Sequence, residues 1–270
     1  MWHHLKYILL FSLFLTPSVA DAGVINTKIE LSCSVNKKSD IAIQAKIANM
    51  GNSTAYRATL SLFMEDWAQK FDNLGDNPPD GILKFNETIS IPGLKPGMHM
   101  LVARVSFEEQ NGTSHRIFEY FPFPCKISDT DKKPELSLEL KPPLFNMRAF
   151  MEAKKKMVIS INNSGNSPLS PVIAFFLSDG YTAGDALIQT KVPPNSKVEE
   201  TVVIEKEKSI NQRGKILAVA WYEKDGIIYS VKSEGTAGVE EKPVLFKWYP
   251  LFCIIILIAV TILIIVRRKA

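Results

Sequence analysis

Apolar and polar residues alternate along short segments through most of the chain. Every odd position from residue 41 to residue 47 is apolar, and a weaker alternation runs from 158 to 161. Because successive side chains of a strand point to opposite faces, a period of two is typical of β-strands with one buried face. No segment has a helical period over a length that could cover a sheet. The pattern predicts an all-β region between the two ends of the chain.

Two dipeptides predict tight turns between strands. Asn111-Gly112 lies between the apolar-rich segments 98–107 and 116–123, and Asp225-Gly226 is flanked by apolar-rich segments in the same way. Asn, Asp and Gly adopt positive φ more readily than other residues, as short hairpin loops require. Each dipeptide therefore predicts a β-hairpin.

The two halves of this region repeat one pattern with an offset of 114 residues. Asn-Met-Gly-Asn-Ser at 49–53 recurs as Asn-Ser-Gly-Asn-Ser at 163–167. This period suits one sandwich of about seven strands. The charged segment 129–134 ends in Pro and has no apolar residue to bury, as expected of a linker. We predict β-sandwich domains at residues 23–128 and 135–235, joined by the linker 129–134.

Both ends of the chain are apolar. Lys6 precedes the apolar run 7–15, and the small residues that follow suit signal peptidase, so residues 1–22 are predicted to be a signal peptide. Residues 248–266 carry no charge, and a helix of that length would cover roughly 28 Å, close to the hydrocarbon thickness of a bilayer. We predict a transmembrane helix there, after a stalk at 236–247.

The residues that flank the predicted helix indicate its orientation. Arg267, Arg268 and Lys269 favour the cytoplasmic side, while Trp248 and Tyr249 suit the opposite interface. The basic end also favours a retained helix over a GPI anchor. The sequence therefore predicts a single-pass type I membrane protein, with a cytoplasmic tail at 267–270 and the ectodomain outside the cytoplasm.

The net charge of +4 comes from the two ends of the chain. Lys6, Arg267, Arg268 and Lys269 lie there, and the rest of the chain has 28 basic and 28 acidic residues in mixed order. A surface that is neutral on average gives no electrostatic reason to bind nucleic acid. We predict no nucleic-acid partner.

Two cysteines lie in the predicted ectodomain, an oxidising environment. Cys33 falls in the first strand-like segment and Cys125 in the last one of the first half, and these strands commonly run side by side in a sandwich. We predict a disulfide between them, with an expected stabilisation of about 4 kcal/mol from loop closure. The alternative is two separate buried thiols.

The chain offers little that resembles a catalytic site. His99 and His115 are the histidines that follow the leader, neither lies near a nucleophile motif, and both are expected to be solvated. No zinc, phosphate-binding or dinucleotide motif is present in the sequence. We predict a protein that is not an enzyme, with no catalytic or cofactor-binding residues. A hydrolase whose site forms from distant residues remains an alternative.

Acidic residues are the candidates for a metal site. Asp179 and Asp185 bracket a loop of the second half, and carboxylate oxygens of this kind suit calcium. Asp is also an ordinary turn residue, because its side chain bonds nearby backbone groups. Turn chemistry is the preferred interpretation, with calcium as the alternative and no other metal or cofactor expected.

Two segments with aromatic residues are candidates for contact surfaces. Segment 65–81, interpreted as a long loop, carries Trp67 and Phe71, and segment 144–151 carries Phe145 and Phe150. Long loops on a rigid sandwich are where binding residues concentrate. The alternative is that these side chains cap the core.

Four sequons could carry sugar if the compartment allows it, and each is expected at an exposed turn or strand edge: Asn52, Asn86, Asn111 and Asn162.

The second half resembles the CARDB family, the cell-adhesion-related domains of bacterial and archaeal surfaces. The resemblance depends on the strand that ends in Asn-x-Gly-Asn-Ser at 159–167, on Phe-Phe-Leu-Ser-Asp at 175–179, on Gly-Asp-Ala-Leu-Ile at 184–188 and on the hairpin at 225–226. The first half matches more loosely. The resemblance implies tandem Ig-like or fibronectin-III-like β-sandwiches, and it specifies no chemistry.

Together these features predict a non-catalytic, membrane-anchored surface protein that acts in adhesion or as an accessory subunit of an envelope complex. Its expected partner is a protein or glycan at the cell surface, or another membrane subunit. A structural or chaperone-like envelope component that hands an extended segment to a sheet edge is the alternative from another functional class.

Overall fold

The computed structural model describes residues 23–36, 40–127, 134–146, 153–207 and 213–240, together with positions 254, 256 and 257. The predicted signal peptide at 1–22 lies outside the described residues, as do most of the predicted linker and of the predicted transmembrane helix at 248–266. Among the residues that are described, no helix is both long enough and apolar enough to cross a bilayer.

The first half of the molecule, residues 23–127, is built from two sheets that face each other in a sandwich-like arrangement. One sheet has the order β1-β2-β5, and the other has the order β4-β3-β6 with β7 paired to β6. Buried Ile41, Leu60 and Leu101 belong to the apolar core that the sheets enclose. The strands are β1 (Thr27–Val35), β2 (Asp40–Asn49), β3 (Ala55–Met64), β4 (Trp67–Asn77), β5 (Ile82–Ser90), β6 (Gly97–Glu108) and β7 (Ser114–Cys125).

The second half, residues 134–240, repeats this arrangement around its own core. One sheet has the order β12-β14-β10-β8, and the other runs β13-β11-β15-β16, with the short β9 parallel to the end of β16. The strands are β8 (Leu136–Lys141), β9 (Leu144–Asn146), β10 (Lys154–Asn163), β11 (Val172–Leu177), β12 (Tyr181–Ala183), β13 (Leu187–Gln189), β14 (Ser196–Lys206), β15 (Gly214–Lys224) and β16 (Ile227–Glu240). The prediction that the region between the two ends of the chain is all-β is confirmed for its described residues.

The recurring Asn-x-Gly-Asn-Ser sequence has the same structural role in both halves. Asn49 is 1 % exposed, and its side-chain amide donates to the carbonyl oxygens of Ser53 and Asn77 at 2.7 and 2.9 Å. Asn163 is fully buried and donates to Ser167 and Pro193 in the same way. In both cases the side-chain oxygen accepts from the glycine two residues later. The motif therefore stabilises a loop between the two sheets.

Both predicted hairpins form. Asn111-Gly112 connects β6 to β7, with a φ of +83° at Gly112, and Asp225-Gly226 connects β15 to β16, with positive φ at both residues.

The interpretation of segment 65–81 as a long loop is wrong. Most of this segment is strand β4, which pairs with β3 through a tight turn at Glu65-Asp66. Strand β4 lies at the end of its sheet, and most of its residues are exposed. An edge strand with little buried surface has no strict alternation of apolar residues, which explains why the sequence pattern did not predict it.

The two halves pack against each other through a third apolar cluster, which we call the junction. Met100, Val102 and Phe118 contribute from the first half, and Leu217, Val219 and Trp221 contribute from β15 of the second. Strands β6 and β16 also pair in parallel over two residues, where Gly97 and Met98 meet Ile228 and Tyr229. Sheet faces that would be solvated in an isolated sandwich are therefore buried.

Candidate functional site

A cleft of about 520 Å³ opens at one end of the junction, and we call it the junction cleft. The first half contributes the β3–β4 turn, the β5–β6 loop and the start of β6; the second half contributes the start of β11 and the ends of the β15–β16 hairpin. Clefts between packed domains are frequent binding sites. Its lining residues include Glu65, Asp66, Trp67, Lys95, His99, Val172, Trp221, Glu223 and Ile228.

Gly97 allows the two halves to approach closely at the floor of this cleft. Its φ is +154°, and a Cβ atom placed there would lie only 2.2 Å from the carbonyl oxygen of Ile228. The amide of Ile228 donates to the carbonyl oxygen of Pro96 at 2.9 Å. A side chain at position 97 would therefore separate the strands that form the floor.

His99 is buried beside the cleft, where its ring stacks on Phe123 of the first-half core, so the expectation of a solvated histidine is wrong for this residue. Its side chain is 2 % exposed, with Nδ1 at 3.1 Å from the Glu65 carboxylate and Nε2 at 3.0 Å from the Lys95 carbonyl oxygen. The other Glu65 oxygen accepts from the Ser230 hydroxyl at 3.1 Å. The sequence pattern alone missed these contacts, because Glu65, His99 and Ser230 come from separate parts of the chain.

The order of these groups differs from that of a hydrolase. In a Ser-His-Asp triad the histidine takes the proton from the serine hydroxyl. Here Ser230 instead donates to Glu65, which lies between Ser230 and His99. Ser230 is also only 7 % exposed. The arrangement positions the two halves against each other and does not activate Ser230 as a nucleophile.

The rim of the cleft combines aromatic and charged side chains. Trp67 is half-buried, and Trp221 is 7 % exposed. Lys95 and Glu223 form a half-exposed ion pair across the two halves, with 2.6 Å between Nζ and Oε2. Asp66 is exposed beside Trp67. The rim can therefore offer both stacking surfaces and carboxylates to a ligand.

His115 holds the opposite end of the junction. Its Nε2 lies 2.9 Å from Glu109 of its own half, and its Nδ1 lies 2.6 Å from Asp179 of the second half. The Arg116 guanidinium donates to the Tyr181 carbonyl oxygen at 2.9 Å. Polar contacts therefore close the junction at both ends.

The two calcium candidates have different environments. Asp179 contacts His115 and accepts from the Gly180 amide at 3.0 Å, whereas Asp185 is exposed. No group of three or more His, Cys, Asp or Glu side chains in the described part of the chain is arranged to hold a metal ion. The contacts of Asp179 are those of a turn and junction residue.

Cys33 and Cys125 are free thiols in the structure, so the predicted disulfide is not formed in it. Strand β1 lies beside β7 as predicted, and both cysteines belong to the same apolar core, with Cys125 fully buried. Burial raises the pKa of Cys33 to about 12, and burial also raises the pKa of Cys125, opposed by nearby Lys126. The arrangement is that of two separate thiols, of which Cys125 is buried and Cys33 is half-buried.

The four aromatic contact candidates have separate environments. Trp67 lines the junction cleft and also packs against the core of the first half, as the alternative of a core cap predicts. Phe71 packs against the same core and meets the edge of Phe85 at 4.6 Å between ring centroids. Phe145 is fully buried and packs near Tyr181, so its assignment to a contact surface is wrong, because it fills the core of the second half. Phe150 lies outside the described residues.

Trp221 was not identified as a cleft residue from the sequence, although the residues around it indicate a strand that is buried on both faces. Residues 216–222 of β15 form a continuous apolar run, which is typical of a strand buried on both faces. One face of β15 fills the second core and the other fills the junction. The run therefore indicated a second packing partner.

All four sequon asparagines are exposed, and none of them lines the junction cleft. Asn111 also bonds within its hairpin, where its side-chain oxygen accepts from Thr113 at 2.8 Å. Sugar at these positions would leave the mouth of the cleft open.

No protein-family model and no curated protein matches the chain. Solved structures that are similar in part include red sea bream transglutaminase, at 14% identity over 81% of this chain and 31% of that one, with a TM-score of 0.28. Native Escherichia coli α2-macroglobulin shares 9% identity over 80% of this chain and 17% of its own, with a TM-score of 0.34. A protein of unknown function from Porphyromonas gingivalis W83 shares 13% identity over 79% and 99%, with a TM-score of 0.31. The chain thus spans about a third of the transglutaminase and under a fifth of the macroglobulin.

Proposed function

We propose that this chain is a non-catalytic, membrane-anchored surface protein whose tandem Ig-like, CARDB-like sandwiches bind a partner in the junction cleft. The observation that carries the proposal is the cleft itself, a concave site with two indoles at the contact between two rigid sheet structures. Aromatic anchors surrounded by a polar rim are typical of binding hot spots. The role is adhesion, or service as an accessory subunit of an envelope complex.

The ends of the chain support a location outside the cytoplasm. The apolar run 7–15 is typical of a signal peptide, and the uncharged segment 248–266 followed by basic residues is typical of a membrane anchor. Residues 236–240 of the predicted stalk belong to strand β16, and only residues 241–247 separate Glu240 from the predicted anchor, so the second half would lie close to the membrane. The first half and the junction cleft would then face outward.

The polar groups of the cleft favour binding over catalysis. His99 is enclosed between the Glu65 carboxylate and the Lys95 carbonyl oxygen. The Ser230 hydroxyl donates to Glu65 and not to His99. General acid–base catalysis requires a titrating group within reach of substrate. These groups instead fix the walls of the cleft.

A structural or chaperone-like role is the second candidate, and strand β4 is the observation that favours it. Strand β4 ends its sheet, so one side of its backbone has no strand partner among the described residues. Such an edge can accept an added strand. This role would place the contact along Trp67–Asn77 and leave the cleft unoccupied.

A pull-down of the full-length chain from detergent-solubilised membranes tests the proposal. We expect a stoichiometric partner with the wild type and its loss with Trp67→Ala, because the indole forms one wall of the cleft. Leu187→Ala is the matched control, since it removes an exposed apolar side chain from β13, outside the cleft. Equal recovery by Trp67→Ala and the wild type would contradict binding in the cleft.

The nature of the recovered partner separates the two roles. One membrane protein at equal stoichiometry supports the accessory role, whereas glycans or foreign cell surfaces support adhesion. A variant such as Gln69→Pro blocks the backbone edge of β4. If recovery of the partner is lost only in such a variant, the strand-adding role is supported.

A further inference from the structure

The junction cleft has an excess of negative charge next to its aromatic walls. Glu65, Asp66 and Glu223 face it with carboxylates, against the single lysine Lys95. Lys95 is paired with Glu223, and Glu65 faces His99. Asp66 is exposed and makes no ion pair with any residue in the described ranges. A ligand with a positive charge would therefore meet a carboxylate that has no competing cation.

The aromatic walls favour the same kind of ligand. Trp67 adjoins Asp66 in the chain, and Trp221 lines the cleft from the second half. A cation over an indole face is attracted by the ring quadrupole, more strongly than over other aromatic rings. Arginine is favoured over lysine, because its planar guanidinium can stack on a ring while it donates hydrogen bonds to a carboxylate in its own plane.

Charge of the same sign continues along the neighbouring strand. Asp72 and Asp76 of β4 are both exposed, and Lys70, the one basic residue of this strand, is paired with Asp72 at 2.6 Å. Asp80 follows the strand and is also exposed. An excess of negative charge on this face raises the association rate of a positively charged partner.

Strand β4 also provides a backbone on which a partner segment could lie. Its pairing with β3 is regular from Trp67 to Phe71, and positive φ at Asn73 and Gly75 accompanies the irregular register beyond. The regular part begins at the mouth of the cleft and has a free edge within the described sheet. A short extended segment can therefore pair there and place one side chain into the cleft.

We infer that the junction cleft binds an arginine side chain on an extended, basic segment of a protein partner, an inference that rests on the proposed binding function. The guanidinium stacks on the half-buried indole of Trp67 and pairs with Asp66. The flanking backbone lies along the start of β4. The volume of about 520 Å³ falls within the usual range for side-chain or small-ligand pockets.

A library of random heptapeptides, displayed and selected on the purified full-length chain in detergent, tests this inference. We expect the selected peptides to share one arginine at a fixed position. A selected peptide, synthesised with citrulline in place of that arginine, should bind about tenfold more weakly, because citrulline keeps the shape and loses the charge. Raising the salt concentration should weaken binding of the arginine peptide more than binding of the citrulline peptide, because the arginine peptide carries one more charge that salt can screen.

Matched carboxylate variants locate the charge. Asp66→Asn should lower the affinity for the arginine peptide about threefold to tenfold. Asp185→Asn, the same change at an exposed residue outside the cleft, should leave this affinity unchanged. Selection without a basic consensus, equal binding of the citrulline peptide, or equal loss in both variants would overturn the inference. So would a failure to select any peptide.

The failure of this inference is distinguishable from failure of the proposed function. In one outcome the wild type recovers a partner, Trp67→Ala loses it, and neither Asp66→Asn nor salt changes its recovery. The cleft would then bind a partner, but the bound group would not be an arginine side chain. A partner that is recovered equally with Trp67→Ala would remove the cleft function itself.

Discussion

At the scale of single residues, two buried asparagines stabilise the loops that the chain repeats. The Asn163 amide donates to the carbonyl oxygens of Ser167, Val192 and Pro193. Asn163→Ala would remove these three hydrogen bonds and the one that the Gly165 amide donates to the Asn163 side-chain oxygen, and we expect a loss of about 2 kcal/mol in the free energy of unfolding. Asn162→Ala, its exposed neighbour on β10, should cost less than about 0.5 kcal/mol. Denaturant midpoints would measure both, and equal midpoints would contradict a structural role for the motif.

The thiol of Cys33 makes stability depend on pH. Burial raises its pKa to about 12, so the folded state keeps the proton at alkaline pH values where the unfolded state has released it. The unfolded state then binds fewer protons, and stability is lost as the pH rises from the unfolded pKa toward about 12. Over this window the free energy of unfolding should fall by more in the wild type than in Cys33→Ala. Ser34→Ala is the control and should behave like the wild type.

Unfolding curves collected between neutral and alkaline pH measure this difference. The pKa values of Tyr181 and Tyr222 are also raised by burial, so both proteins lose stability in this window and only the difference reports on Cys33. The predicted Cys33–Cys125 disulfide would remove the thiol, and with it the difference. If the two proteins differ in their pH dependence of stability only after reduction, the bridge therefore forms in the purified protein.

At the scale of secondary structure elements, β15 is the strand on which the second half and the junction both depend. Leu217 is fully buried on the face of β15 that points away from its own sandwich core. Leu217→Ala should cost about 2–4 kcal/mol, whereas Val203→Ala, at an exposed position of β14 in the other sheet of the same half, should be nearly neutral. Thermal or denaturant unfolding would measure this. Two equally small effects would show that the junction is not packed in solution.

The same elements show how far the sequence could predict the fold. Alternation and turn residues identified β2, β10 and both hairpins, because in these segments one face is buried and the turn requires positive φ. Strand β4 was missed because an exposed edge does not need alternation. The function of β15 at the junction was missed because a continuous apolar run indicates burial on both faces but does not identify the second partner.

The candidate site was less predictable than the fold for the same reason. Trp67 was identified by its chemistry, yet its partners Trp221 and Glu223 are brought to it by packing between the two halves. His99 was expected in solvent, because the local sequence does not show that its ring stacks on Phe123 and faces the Glu65 carboxylate. Local pattern specifies each sandwich, whereas the cleft depends on contacts between residues more than a hundred positions apart.

At the scale of the whole molecule, the junction should make the two halves unfold together. Its apolar cluster is supported by polar contacts at both ends, the Lys95–Glu223 ion pair beside the cleft and the contact between His115 and Asp179 at the other end. Residues buried between two halves couple their stabilities, because unfolding one half exposes the other's apolar surface. We expect the wild type to unfold in a single calorimetric transition.

Gly97→Val should uncouple the halves. A Cβ at position 97 would lie 2.2 Å from the Ile228 carbonyl oxygen, so β6 and β16 must separate at the floor of the cleft. Most contacts within each sandwich lie elsewhere, and we expect two calorimetric transitions together with loss of partner binding in the pull-down. Gly184→Ala is the control, because its added Cβ would make only ordinary contacts, 3.6 Å from Val203. If the wild type already shows two transitions, the halves are independent. If Gly97→Val keeps a single transition and still binds the partner, the cleft does not depend on the β6–β16 contact.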